Sequence, residues 1–189
     1  MIKAIIFDCF GVLTTDGWLP FKDKYFGHEP DLLQQATNLN KQADAGLISY
    51  QDFLRAVSQL AAVSPQVVSQ HIDNNVPNEQ LFEYIKQLKM DYKIGMLSNA
   101  ADNWLVDMFT PEQVELFDAI ALSYETGFIK PQIGAYEISA ERLGVSPNEC
   151  IFVDDQERYC TGAQDIGMQA VWYRDFDQAK TDLKKLLQS

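Results

Sequence analysis

At 189 residues, with 47% hydrophobic and 22% charged side chains, the chain is sized for one full core carrying a modest insertion and is short for two independent domains. A net charge of −12 excludes nucleic acid and anionic membrane surfaces as partners, and makes any anionic ligand depend on local positive features such as a metal ion, a lysine or helix N-termini. Three cysteines without metal-ligand spacing, no apolar run near the roughly 20 residues of a membrane span, and no leader-like start predict a protein of the reducing cytoplasm.

The first element is KAIIFD (3–8), a continuous apolar run that ends in Asp8 and is followed by a tight turn at Gly11. Residues 15–76 then hold no strand candidate. DLLQQATNLNKQADAG, SYQDFLRAVSQLA and SPQVVSQHIDNN read as three or four short helices separated by Gly46 and by Ser64-Pro65. A connection of that length inside a compact sheet must fold on itself. It is expected as a small all-helical cap, with 1–14 and 77–189 forming the core.

Pro77-Asn78 start the next helix, NEQLFEYIKQLK, whose Leu81, Phe82, Ile85 and Leu88 share one face. KIGMLSN (93–99) and AIALSYE (119–125) follow as strands. QIGAYEISAERLG reads as a helix with Gly144 as its stop. CIFVDD (150–155) and MQAVWY (168–173) are the last two strands, and QAKTDLKKLLQS closes the chain as a helix. These strands are too continuous to have one wet face, and most lead into helical patterns. The expected fold is therefore α/β: a doubly wound, Rossmann-like parallel sheet covered on both faces.

In such a sheet, ligands bind at the carboxyl ends of the strands. Those ends carry Asp8, then Ser98-Asn99, then Asp154-Asp155, with Lys130 in the loop after the third strand. Three carboxylates with one lysine suggest a hard cation, such as Mg²⁺, beside a phosphate.

In these residues the sequence resembles the haloacid dehalogenase-like hydrolase superfamily, in its subgroup with a helical cap after the first strand. FDCFGVL looks like the first motif and LSNA the second. Lys130-Pro131 with Tyr136 looks like the third, and FVDDQERYCTGAQDIGM the fourth; together they span residues 7–168. The resemblance implies that Asp8 attacks phosphorus and carries a transient aspartyl-phosphate. Ser98 and the Asn99 amide would hold phosphoryl oxygens, and Lys130 would neutralise charge and restrain Asp8. Mg²⁺ would be held by Asp8, the backbone carbonyl of Phe10, Asp154 and Asp155. The implied activity is Mg²⁺-dependent hydrolysis of a small phosphorylated metabolite; nothing in the sequence sets the oligomeric state.

Phe10 departs from the pattern. Phosphatases of this family usually place a second Asp there, which protonates the leaving oxygen and then activates water. A phenyl ring does neither, so weakened turnover is expected, and a non-catalytic phosphate or metabolite binder is the alternative reading. Asp16 could replace the acid, although a loop-capping role suits its position better. A 2-haloacid dehalogenase, whose branch has an aromatic residue at this position, is less favoured. Asp154-Asp155 are retained, and the first arginine is Arg55, deep in the cap. Cys9 reads as a small buried filler and Tyr136 as packing. His28 and His71 have no useful spacing. Trp18, Phe21, Tyr25 and Phe26 read first as core, with pocket lining as the alternative.

Overall fold

The computed structural model describes residues 1–188. Five strands, β1 (Ala4–Phe7), β2 (Lys93–Ser98), β3 (Ala119–Leu122), β4 (Cys150–Asp154) and β5 (Gln169–Trp172), form one sheet in the order β3-β2-β1-β4-β5, parallel throughout. β1 lies at the centre, and all four of its residues are fully buried. Its side chains alternate between two apolar layers: Ile5 and Phe7 pack on one face, Ala4 and Ile6 on the other. That explains the uninterrupted apolar run: a strand covered on both sides has no solvent-facing position.

Helices α1 to α4 span Trp18–Phe26, Pro30–Asp44, Tyr50–Leu60 and Pro65–Ile72. The remaining helices are α5 (Glu79–Leu88), α6 (Leu105–Met108), α7 (Pro111–Val114), α8 (Ser123–Thr126), α9 (Ile133–Leu143), α10 (Glu157–Asp165) and α11 (Phe176–Leu187). α5 brings Leu81, Phe82, Ile85 and Leu88 to the Phe7 face, joined by Ala179 and Leu183 of α11. α9 and α10 cover the Ile6 face with Tyr136, Ala140, Leu143 and Ala163. At roughly 1.5–3 kcal/mol for each large side chain fully buried, these two layers supply the main driving force for the sheet. Asn78 caps α5 by accepting a hydrogen bond from Leu81 N (3.2 Å), and Gly144, at φ +66°, ends α9.

The four helices between β1 and β2 share an apolar cluster of their own, which includes Phe21, Phe26, Phe53, Val57 and Val68. Ser49 and Ser64 cap α3 and α4 through Asp52 N (3.1 Å) and Val67 N (3.4 Å). α1 lies outside the three segments that read as helical in the sequence. It opens on WLPF, and Pro20 disguises it; a proline in the first turn loses no helical bond, because those N–H groups have no intrahelical partner. The run 119–125 also needs correction. Only 119–122 is strand, and Ser123–Thr126 forms one helical turn ended by Gly127 at φ +75°. Among the described residues, no helix is long and apolar enough to cross a membrane.

Candidate active site

The site grows from the end of the central strand. Asp8 extends the ladder by one bond, its N–H donating to Val153 O (2.8 Å), and the chain then folds back sharply: Leu13 N donates to Cys9 O (2.8 Å) and Gly11 N to Thr14 O (2.8 Å). Gly11 sits at φ +85°, where a Cβ would lie 2.6 Å from Asp155 Oδ2. The positive φ requires glycine there, and a Cβ would also have to displace the Asp155 carboxylate.

Lys130 enters from the loop before α9. Its Nζ lies 2.6 Å from Asp8 Oδ1 and 2.6 Å from Asp154 Oδ2, and all three side chains are almost fully buried. The Phe152 and Tyr159 rings flank the ammonium at 5.3 and 4.9 Å. Asn99 places this lysine: its Oδ1 accepts from Lys130 N (2.8 Å) and its Nδ2 donates to Lys130 O (3.3 Å). Ser98 is fully buried beside it. Asp154 directs its second oxygen to Gln156 N (2.8 Å), whereas Asp155 Oδ1 is buried without a hydrogen-bond partner. Asp8, Asp154 and Asp155 each offer a carboxylate oxygen within 4.8 Å of the others.

The charges are strongly perturbed. Burial, reinforced by the Asp154 charge, pushes the Asp8 carboxyl well above its usual range, and Lys130 opposes this. Burial alone would lower the Lys130 pKa, but the neighbouring Asp154 and Asp8 outweigh it and raise it. Burial, then the Asp154 charge, pushes Asp155 up to about 7. With all three carboxylates ionised, one ammonium would leave two negative charges uncompensated, which is why protons are held so strongly here. A divalent cation suits that imbalance and the partnerless Asp155 oxygen.

A cavity of about 740 Å³ opens above these residues. Asp8, Ser98, Asn99 and Lys130 line it from the sheet, together with Phe10 and Trp104, whose rings meet edge to face at 5.0 Å. The helical insert contributes Trp18, Phe53 and Asp44 among others. The structure thus brings the sequence-selected Asp8, Ser98, Asn99, Lys130, Asp154 and Asp155 together, with Phe10 on the cavity wall. Of the four aromatic residues of α1, only Trp18 lines the cavity; Phe21 and Phe26 are buried. Cys9 is buried, and Tyr136 packs in the core with its hydroxyl donating to Tyr159 O (2.9 Å). Asp16 caps α1 by accepting from Trp18 N (2.7 Å) and Leu19 N (3.1 Å).

Although the first arginine of the sequence lies deep in the insert, Arg158 lines the cavity from α10. Its guanidinium donates to Gln156 Oε1 (2.8 Å) and Tyr159 OH (2.8 Å) and stacks on the Tyr159 ring. Arg158 and Asp44 were missed because each becomes a site residue only through the packing of distant segments. The one sequence signal for Arg158 is its place three residues after Asp155, in the first turn of α10.

A family model described as haloacid dehalogenase-like hydrolase matches residues 2–167. The chain belongs to this family. Among relatives, the chain is 27% identical over 197 residues to sesquiterpene phosphatase astK of Aspergillus oryzae, covering 98% of this chain and 96% of that one. It is also 33% identical over 70 residues to bifunctional epoxide hydrolase 2 of Sus scrofa; the match takes in 37% of this chain and spans only 13% of that longer protein. Among solved structures it resembles HAD family enzyme bt-2542 of Bacteroides thetaiotaomicron, solved in complex with magnesium and inorganic phosphate. That likeness has a TM-score of 0.73 at 25% identity and covers 92% of this chain and 95% of the other.

Proposed function

We propose that this hydrolase is a Mg²⁺-dependent phosphatase of a small phosphorylated metabolite, working through an aspartyl-phosphate on Asp8, with residues 15–76 acting as a cap over the site. The observation that carries the reading is the buried Asp8–Lys130–Asp154 arrangement, with both ion pairs at 2.6 Å, at the floor of a cavity far larger than a phosphate group. Two relatives, a sesquiterpene phosphatase and an enzyme solved with magnesium and inorganic phosphate, support it.

The residues that would hold Mg²⁺ are Asp8, Asp154, Asp155 and the backbone carbonyl of Phe10. When bound, the ion would neutralise charge on the phosphoryl oxygens. An Asp8 carboxylate oxygen attacks phosphorus, and the P–O bond to the leaving group breaks. Lys130 holds Asp8 in place and stabilises the negative charge that spreads over the phosphoryl oxygens. Ser98 and the Asn99 backbone amide bind those oxygens. Water then attacks the aspartyl-phosphate, releasing phosphate and restoring Asp8.

Phe10 contributes no proton transfer. Losing general acid–base assistance costs about 10²–10⁴-fold, while electrostatic stabilisation by the remaining groups is often the larger contribution. Turnover should therefore persist, and substrates with good leaving groups should suffer least.

A second reading, a phosphate or metabolite binder without turnover, draws on Phe10 alone. One assay separates the two: p-nitrophenyl phosphate hydrolysis with and without Mg²⁺, beside the Asp8→Asn variant. Hydrolysis that requires both the ion and Asp8 is the expected result. Binding of a phosphate analogue with no hydrolysis across a broad phosphate panel would leave the binder.

A further inference from the structure

If this hydrolase is a phosphatase, its reaction needs a proton at the leaving oxygen, and position 10 has none to give. Beyond the Asp8–Asp154–Asp155 cluster, the cavity is lined by five further carboxylates: Asp16, Asp44, Asp73, Asp102 and Asp107. Asp102 and Asp107 are exposed. Asp73 is also exposed and accepts a hydrogen bond from the Tyr50 hydroxyl. Asp16 is committed to the two N–H groups that open α1. Asp44 differs from all four. It is half-buried at the C-terminal end of α2, and its carboxylate has a single side-chain hydrogen bond, from Asn40 Nδ2 at 2.9 Å.

The backbone at this point is bonded to the first residue after β3. The carbonyl of Asp44 accepts a hydrogen bond from Ser123 Oγ, which in turn accepts from Ala100 N at 2.9 Å. Ala100 directly follows Ser98 and Asn99. The end of α2 is thereby tied to the segments that follow β3 and β2, next to Ser98 and Asn99, and Asp44 lines the same cavity as Asp8.

We propose that Asp44 is the general acid–base residue of this hydrolase, so that the helical insert supplies the proton transfer that Phe10 cannot. As the Asp8 oxygen bonds to phosphorus, the P–O bond to the leaving group breaks with its electron pair on the leaving oxygen. That oxygen takes the proton of the Asp44 carboxyl and departs as an alcohol or phenol. The Asp44 carboxylate then accepts a proton from water as the water oxygen bonds to phosphorus. The P–O bond to Asp8 breaks with its pair returning to Asp8, phosphate leaves, and Asp44 is again protonated.

The surroundings favour this role. Burial pushes the Asp44 carboxyl up to about 7; the Lys130 and Arg158 charges and the Asn40 hydrogen bond pull the other way, and Asp16 adds to the rise. A group poised there can both give and take a proton near neutral pH.

The test is kcat/KM for the full chain with Mg²⁺ on p-nitrophenyl phosphate and phenyl phosphate, in wild type and Asp44→Asn. p-Nitrophenolate leaves readily without protonation and phenolate does not. The variant should lose about 10²-fold or more on phenyl phosphate and less than tenfold on p-nitrophenyl phosphate. The smaller loss doubles as proof of folding. Wild-type kcat/KM on phenyl phosphate should fall as pH rises through about 7, and the variant should lack that fall. Adding Phe10→Asp to Asp44→Asn should recover at least about tenfold of the phenyl phosphate activity. Equal losses on both substrates, or none on either, would overturn the role of Asp44 and leave the phosphatase reading intact. A wild-type protein inactive on every phosphate ester would remove that reading and this one together.

Discussion

On the sheet side of the cavity, the charged groups are buried and interlocked: Lys130 bridges Asp8 and Asp154, and Asn99 grips the lysine backbone from both sides. On the insert side the polar groups are sparsely held. Asp44 has one side-chain hydrogen bond, and the same wall carries the Trp18 and Phe53 rings, which meet at 5.3 Å. In the proposed reaction the first wall would hold one fixed anionic group, and the second would meet whatever that group is attached to and exchange the proton. Electrostatic stabilisation demands rigidity, because charges that must reorient lose their advantage. Selection of a leaving group tolerates looser walls.

The largest effect should come from breaking the rigid wall. Lys130→Met leaves the buried Asp8 and Asp154 carboxylates without their cation, and should cost about 3–5 kcal/mol in urea unfolding. The loss should shrink when Mg²⁺ is present; a loss under about 1 kcal/mol would mean that the bridge is not buried as described. Next, Mg²⁺ at about a hundredfold over its Kd should stabilise the wild type by roughly 2.7 kcal/mol, seen as a rise in Tm. Asp155→Asn should remove most of that rise, and an undiminished rise would place the ion elsewhere.

Asn99→Ala removes both grips on Lys130 and should destabilise by about 1–3 kcal/mol, with kcat falling more than KM changes. The smallest effect belongs to the insert wall. With Asp44 held at about 7, the folded state keeps a proton that the unfolded chain releases near an ordinary carboxylate pKa. The unfolded state thus binds fewer protons over that interval, and stability falls as pH rises from about 4 to about 7. Asp44→Asn should therefore be stabilising by about 1 kcal/mol at pH 8, discounted for solvent contact, and nearly neutral at pH 4. Urea midpoints at the two pH values would show it, and equal effects at both would contradict the assignment.

The rigid wall is the half of the site that local sequence reveals. Asp8, Ser98-Asn99 and Asp154-Asp155 each end an apolar run, and a parallel sheet gathers strand ends on one edge, so residues up to 147 positions apart converge without any side-chain detail. Strand limits were less visible. Ser123 to Glu125 continue the β3 run in composition, yet the chain turns there, because Ser123 Oγ bonds to Ala100 and to the Asp44 carbonyl, neither of which is local. The insert wall was invisible for the same reason. Asp44 closes a helix whose pattern ends in KQADAG, an ordinary solvated terminus until its carbonyl meets Ser123, 79 positions away at the start of α8. Trp104 reads as a loop aromatic and becomes a wall only by meeting Phe10.

The central claim is that Asp8 forms a covalent bond to phosphorus during turnover, and trapping that species tests it most directly. The protein with Mg²⁺ and p-nitrophenyl phosphate would be acid-quenched within the first turnovers, digested and mapped by mass spectrometry. The account predicts a single phosphoryl group on the peptide that carries Asp8, absent when Asp8 is replaced by Asn. Phosphate release with no modification at Asp8, or a phosphoryl group on another residue, would contradict it.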